Sequence, residues 1–217
     1  KLSQNEAIVD GVYNAIGVFF YTDISRKNFS EKFGVSIEEA DNHLTTLREG
    51  INPEELFIEL NGVNGKDSQG YFSIIGLTVA RKKLLEHNIT YPENLRLHQD
   101  TVFIYKCAHK LLLQEGQLQC AVAIRGVHDE NRITSTVNNR KFLGLYKFYK
   151  ELYSWAKNEK LLPVINLYKY SMHFNYMKMN NFILKLGLFF KLVITDRHFF
   201  VAKDAGQIHY NLFKNKS

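Results

Sequence analysis

Two short stretches carry side chains able to do chemistry. In "LRLHQDTVFIYKCA", residues 95–108, Asp100 stands between the pair His98 and Gln99 and an apolar run. In "RGVHDENRIT", residues 125–134, Arg125, His128 and Arg132 recur every three or four residues directly after an apolar segment. A carboxylate held beside a hydroxyl can take its proton as the oxygen attacks, which is general base catalysis. Guanidinium groups match phosphate oxygens with two parallel hydrogen bonds and keep their charge, which suits them to hold a diphosphate. Each group also has a plain structural alternative. An Asp ahead of a helix is a common cap, and a charged loop after a strand is commonly a solvated turn. The spacing leaves both alternatives open. Glycoside hydrolysis fits poorly, because it needs two carboxylates across the bond and Asp100 is the single convincing candidate.

The elements that must position these groups follow from periodicity and from cap and turn residues. Residues 8–21, "IVDGVYNAIGVFFY", are rich in β-branched and aromatic types around small residues, which predicts one or two buried strands. "SIEEADNHLTTLREG" pairs Ser36 with Glu39 as a capping box and ends at Gly50, which predicts a helix over that span. A short helix follows Asn52, with Pro53 at its first position and "EELFIEL" as its body. "NGVNGKDSQG" is a turn-rich loop. Tyr71 to Val79 alternates as a strand, "ARKKLLEHN" is a short helix, and "ITYPENL" is an extended link. The spacing of Val102, Tyr105, Cys107, Ala108, Leu111 and Leu112 predicts a helix with Asp100 or Thr101 at its N-terminus. "QCAVAIRGV" then reads as a strand running into the charged loop. From residue 140 onward Phe142, Leu145, Tyr146, Tyr149, Leu152 and Tyr153 form one helical stripe. Strands and helices alternating in this way indicate an α/β layered domain, followed by a helical C-terminal extension.

The totals agree with a folded chain. At 217 residues, 45% of them hydrophobic, it suits one domain, or one domain with an appendage. Cys107 and Cys120 lie in apolar surroundings without metal-binding spacing, which predicts two buried thiols in a reducing compartment and not a disulfide. The charge is uneven. Residues 141–217 carry 13 Lys/Arg against 4 Asp/Glu, whereas residues 1–140 carry 15 against 18. The basic segment also holds 17 of the 29 aromatic residues, a mixture that suggests an anionic partner surface. In "NNFILKLGLFFKLVI", Lys185 and Lys191 interrupt an apolar run that is too short to span a bilayer. Such a helix either lies in a membrane interface facing anionic lipids or packs as a core helix.

One resemblance joins the two chemical stretches. "GYFSIIGLTVARKKLLEHNITYPENLRLHQDTVFIYKCA", followed about 20 residues on by "VAIRGVHDENRITS", resembles the acceptor-side half of a family 2 glycosyltransferase with the GT-A fold. In that family an acidic motif ending in E-D-T-F supplies the catalytic base, and an R-x-x-H-x-x-(N/S)-x-(S/T) loop closes over the donor diphosphate. The resemblance covers roughly residues 8–140. It implies two regions: an acceptor-side part of a GT-A domain with a mixed sheet over 1–140, and a basic aromatic helical region over 141–217. It implies an inverting transfer of sugar from a nucleoside diphosphate sugar to a saccharide or lipid-linked acceptor, in the synthesis of a bacterial cell-surface polysaccharide. Asp100 would be the base, Arg125 and Arg132 the diphosphate contacts, His128 a metal or phosphate contact, and His98 and Gln99 the candidates for substrate contacts. The family carries Glu where this chain has Gln99, a departure that bears on how Asp100 is positioned.

The family also holds Mn or Mg through a D-x-D motif, since paired carboxylates there hold the cation that neutralises the diphosphate. No D-x-D occurs in this sequence, nor a Rossmann-like nucleotide-binding stretch. The expectation is therefore a fragment, inactive alone, whose main ligands for the divalent metal lie upstream. No signal peptide opens the sequence, so the expected location is the cytoplasm, with attachment at the inner face of the membrane through the C-terminal helices. A rival reading is a nucleic-acid-binding module built on basic charge interleaved with aromatics. It is disfavoured by the lack of a recognition motif and by the core-like spacing of the aromatics. A third is a non-catalytic interaction module in which Asp100 only caps a helix.

Overall fold

In a computed structural model the chain is described over residues 9–63, 70–127, 139–178 and at positions 182, 183, 186, 187, 190 and 194. It is α/β, and divides into two compact units: residues 1–92 with 100–130, and residues 93–99 with 131–217.

The first unit begins with two strands, β1 (Gly11–Tyr13) and β2 (Ile16–Phe20), within the stretch where the sequence predicts them. The chain changes sheets at Asn14, whose side chain ties down both flanking loops. Its Oδ1 accepts from the backbone N–H of Gln117 at 2.9 Å, and its Nδ2 donates to the carbonyl of Gly76 at 3.1 Å. β1 pairs antiparallel with β3 (Leu77–Val79) and parallel with β4 (Leu113–Glu115), giving a mixed sheet of order β3-β1-β4. β2 pairs in parallel with β5 (Ala123–Val127), with Val18 opposite Arg125 and Gly17 opposite Ile124. Because side chains alternate along a strand, Val18 and Arg125 share one face, and Gly17, Phe19, Tyr21 and Ile124 share the other. Phe19, Tyr21 and Ile124 are exposed.

The helices of this unit are set largely by their ends. α1 (Asp23–Phe33) starts at a reciprocal box: Thr22 Oγ1 accepts from the N–H of Ser25, and Ser25 Oγ accepts from that of Thr22. It stops at Gly34, whose φ of 65° is the left-handed conformation that glycine adopts without penalty. The sequence analysis does not anticipate this helix, since it buries only Ser25 and Phe29 and shows no apolar stripe. α2 is shorter than expected. The Ser36–Glu39 box forms, with Glu39 Oε2 accepting from the N–H of Ser36 at 2.7 Å, but the helix is Ile37–Asp41 and does not reach Gly50. Thr45 instead exchanges backbone hydrogen bonds with Ile16, so pairing with β2 overrides the local helical pattern. α3 (Leu56–Leu60) starts three residues after Pro53. Only Leu77–Val79 of the anticipated strand over Tyr71 to Val79 forms, after a 3-10 turn at Ile74–Gly76. α4 (Arg81–Glu86) and α5 (Gln99–Lys110) lie where the sequence puts them.

α5 buries Val102, Phe103, Ile104, Cys107 and Ala108, and the buried side chains of Tyr13, Leu47, Leu56, Phe72 and Leu113 complete the larger part of this core. Each such fully buried aliphatic side chain contributes about 1.5–3 kcal/mol relative to exposure. Tyr13 stacks on Phe72 with ring centroids 4.9 Å apart. Burial pushes the Cys107 thiol up to about 12. Cys120 corrects the expectation of two buried thiols, because it is exposed.

The second unit is built on an antiparallel hairpin of α6 (Asn139–Asn158) and α7 (Leu162–Met177), with Lys160 in the left-handed region at the turn and Pro163 in the first turn of α7. Phe148, Leu152 and Ala156 of α6, and Val164, Tyr168 and Tyr176 of α7, are buried. Tyr146 meets Tyr176 edge to face at 5.3 Å. The helical reading of residues 140 onward is thereby met over 139–177. Residues 182, 183, 186, 187, 190 and 194 are also helical. Among the described residues no helix is long and apolar enough to cross a membrane.

Candidate functional site

Asp100 sits in the first turn of α5, one residue inside the helix. Its Oδ1 accepts from the backbone N–H of Thr101 at 2.9 Å, so one carboxylate oxygen satisfies a donor that the start of a helix leaves open. Among the described residues no hydrogen bond reaches Oδ2. The chain enters the helix through His98, whose φ of 60° is left-handed. Two contacts hold this corner: the His98 ring lies 4.9 Å from that of Phe148, and Gln99 Nε2 donates to the carbonyl of Leu95. His98 and Gln99 are thus fastened to their own neighbourhood in the second unit.

Arg125 is on β5, on the same side of the sheet as Val18 and away from Ile124. Its side chain heads toward the inner surface, where Val18, Phe20, Phe29 and Ala40 form a small core with Val127 at its margin. Two neighbouring groups register its positive charge. His43, whose ring lies 5.1 Å from Phe29 and 5.7 Å from Phe33, has its pKa lowered, first by burial and then by the Arg125 guanidinium. Tyr71 has its pKa raised, mainly by burial and next by the negative charge of Asp100. A hydrogen bond with the Thr101 side chain and the charge of Arg125 act on Tyr71 in the opposite direction.

Tyr71 therefore joins the two chemical stretches, since one phenol feels both the carboxylate at position 100 and the guanidinium at 125. It is held there by backbone geometry. Gly70 bridges to Leu47, and Tyr71 N–H donates to the carbonyl of Thr46 at 3.2 Å. Gly70 has a φ of 110°, and a Cβ placed on it would lie 2.3 Å from the Thr46 oxygen, so only glycine fits the approach. A second phenol, Tyr91, stacks on Phe103 at 4.4 Å. Its pKa is also raised, by burial first and then by Asp100. The resulting set has a carboxylate at a helix start, two phenols that feel its charge and a guanidinium whose charge one of them also feels. Such a set can accept a proton from a polyhydroxyl ligand and attract an anion.

Of the residues singled out in the sequence, Asp100 and Arg125 both act through their charge on Tyr71. His128 and Arg132 lie outside the described residues. Tyr71, Tyr91 and His43 have no functional reading in the sequence, and Thr101 enters it only as a possible helix start. Among the described residues no group of three or more His, Cys, Asp or Glu is clustered to hold a metal ion. No protein-family model, curated protein or solved structure matches this chain.

Proposed function

We propose that this chain is the acceptor-side and C-terminal portion of an inverting GT-A glycosyltransferase. The observation that carries this reading is Tyr71, which feels the charge of both Asp100 and Arg125 and so links a candidate base to a candidate anion contact. In the proposed reaction the Asp100 carboxylate takes the proton of an acceptor hydroxyl. The freed oxygen forms its bond to the anomeric carbon of the donor, on the side opposite the phosphate. The carbon–oxygen bond to the diphosphate breaks, and its electron pair leaves with the diphosphate, whose charge Arg125 offsets together with Arg132. Tyr71 and Tyr91 offer apolar ring faces and hydroxyls of the kind that contact sugars. His128 is assigned to the diphosphate or its metal, and the main carboxylate ligands of that metal are assigned to sequence upstream of Lys1. The acceptor is a saccharide or lipid-linked saccharide, and the setting is polysaccharide synthesis at the cytoplasmic face of a bacterial membrane.

A second reading, a non-catalytic module, is favoured by the Asp100–Thr101 hydrogen bond, a local contact at the start of α5 that gives the carboxylate a structural role. Transfer of a radiolabelled sugar separates them, using the chain extended by the sequence encoded upstream of Lys1. Transfer that is lost in Arg125→Gln and Asp100→Asn supports the enzyme. A folded, extended chain that transfers none of a panel of nucleoside diphosphate sugars supports the module.

A further inference from the structure

The second unit presents a feature that sugar transfer does not use. The six described helical positions from Phe182 onward are Phe182, Ile183, Leu186, Gly187, Phe190 and Ile194, and all six are exposed. At 3.6 residues per turn they fall within an arc of about 140° on one side of a helix. Phe182, Ile183 and Ile194 each leave more than three quarters of their surface in water. A Cβ built on Gly187 would meet no atom within 4 Å, so the space beside that position is open. A helical face of five large apolar residues without one polar member is unlike an ordinary solvated surface.

Charge indicates what covers it. Between Glu159 and Asp196 the sequence contains no acidic residue and five lysines, at 160, 169, 178, 185 and 191. Lys178, one turn ahead of Phe182, is exposed, with its ammonium 4.2 Å from the centre of the Phe174 ring. An apolar arc embedded in purely cationic sequence is complementary to an anionic lipid surface. The acyl boundary takes the apolar side chains and the headgroups take the lysines, whose long stems let the ammonium reach outward. At 1.5 Å per residue a helix reaching from Phe182 to Ile194 would extend about 18 Å, short of the ~30 Å hydrocarbon core, so the face lies along the bilayer and does not cross it. A second copy of this chain would bring the same cationic sequence against itself, which disfavours self-association through the same face.

We propose that the helical face from Phe182 to Ile194 is an in-plane membrane anchor selective for anionic phospholipid. It is read without any turnover, so it stands or fails separately from the transferase reading. The test is co-sedimentation of the 217-residue chain with vesicles, made either of phosphatidylcholine alone or of an equal mixture with phosphatidylglycerol. The chain is expected to partition onto the mixed vesicles, weakly onto phosphatidylcholine, and less as salt rises. Lys185→Gln and Lys191→Gln should each weaken binding about fivefold. The paired change Phe182→Gln and Ile194→Gln should weaken it at least a hundredfold. Gly187→Leu adds apolar surface to the open face and should tighten binding about tenfold, a gain that misfolding does not imitate if the thermal midpoint is unchanged. Equal partition onto both vesicle types, or none onto either, overturns the proposal. So does a concentration-dependent dimer in light scattering that Gly187→Leu strengthens and vesicles leave intact.

Discussion

Replacing Asp100 in two ways separates its two roles, because the hydrogen bond it makes needs an oxygen while the chemistry assigned to it needs a basic carboxylate. Asp100→Asn keeps Oδ1 as an acceptor for the Thr101 N–H, 2.9 Å away, and gives up the ability to take a proton. What it loses in stability is the interaction of a negative charge with the N-terminus of α5, about 0.3–1 kcal/mol. Asp100→Ala removes the acceptor as well, and the lost hydrogen bond costs about 1 kcal/mol more. The kinetic effect is of another size. Removing a general base lowers the rate about 10²- to 10⁴-fold, which is about 3–5 kcal/mol in the barrier. The prediction is two variants nearly matched in lost activity and unmatched in stability. Urea melts should rank parent, Asn and Ala in falling order, while initial rates of sugar transfer, measured in the N-terminally extended chain, fall together for Asn and Ala. An Asn variant that transfers sugar within tenfold of the parent refutes the assignment of Asp100 as base. Rates that follow the melts, with Asn intermediate, would show that position 100 acts through the helix alone.

Three further predictions concern the surroundings of the site and the frame that holds it. Arg125→Gln removes one of the two causes that lower the His43 pKa, so the imidazole should titrate closer to its ordinary 6.5; an NMR titration that does not move would show that the two groups are not neighbours. Asp10 accepts from the N–H of Leu112 at 2.9 Å and lies 3.3 Å from the Lys83 ammonium, and the Leu112 bond is the larger cause holding its pKa below 3.8. A lowered carboxylate pKa stabilises the fold at every pH above the ordinary value, and that stability is lost as pH falls through the folded-state value. Asp10→Asn should therefore cost about 1.5 kcal/mol at pH 7 and flatten the acid limb of urea midpoints plotted against pH. With Cys107 buried and its thiol pushed up to about 12, a thiol reagent should modify one cysteine, Cys120, in the native chain and two in denaturant.

How far the sequence foretells this structure depends on where each element takes its stability. α5 and β5 were legible because their apolar faces are periodic and their ends are marked. These are the elements that carry Asp100 and Arg125, so the backbone setting of both candidates was legible as well. α1 was missed because its stability is local. The Thr22–Ser25 box lacks the glutamate that usually signals one, and only Ser25 and Phe29 turn inward. Residues 43–49 were misread for the opposite reason. They look helical alone, yet Thr45 and Leu47 are drawn into pairing with Ile16 and Gly70. That pairing fixes the backbone of Tyr71, so the residue that links the site electrostatically is held by a contact between segments 23 positions apart, which no local pattern encodes.

The β2–β5 ladder has a practical consequence. Parallel strands are ordinarily covered on both sides, yet here Phe19, Tyr21 and Ile124 stand uncovered on one. Handled by itself, the chain should bind fluorescent apolar dyes and cloud on concentration. Phe19→Ser with Ile124→Ser should lessen both and leave Arg125 untouched, because that side chain leaves the strand from its other side.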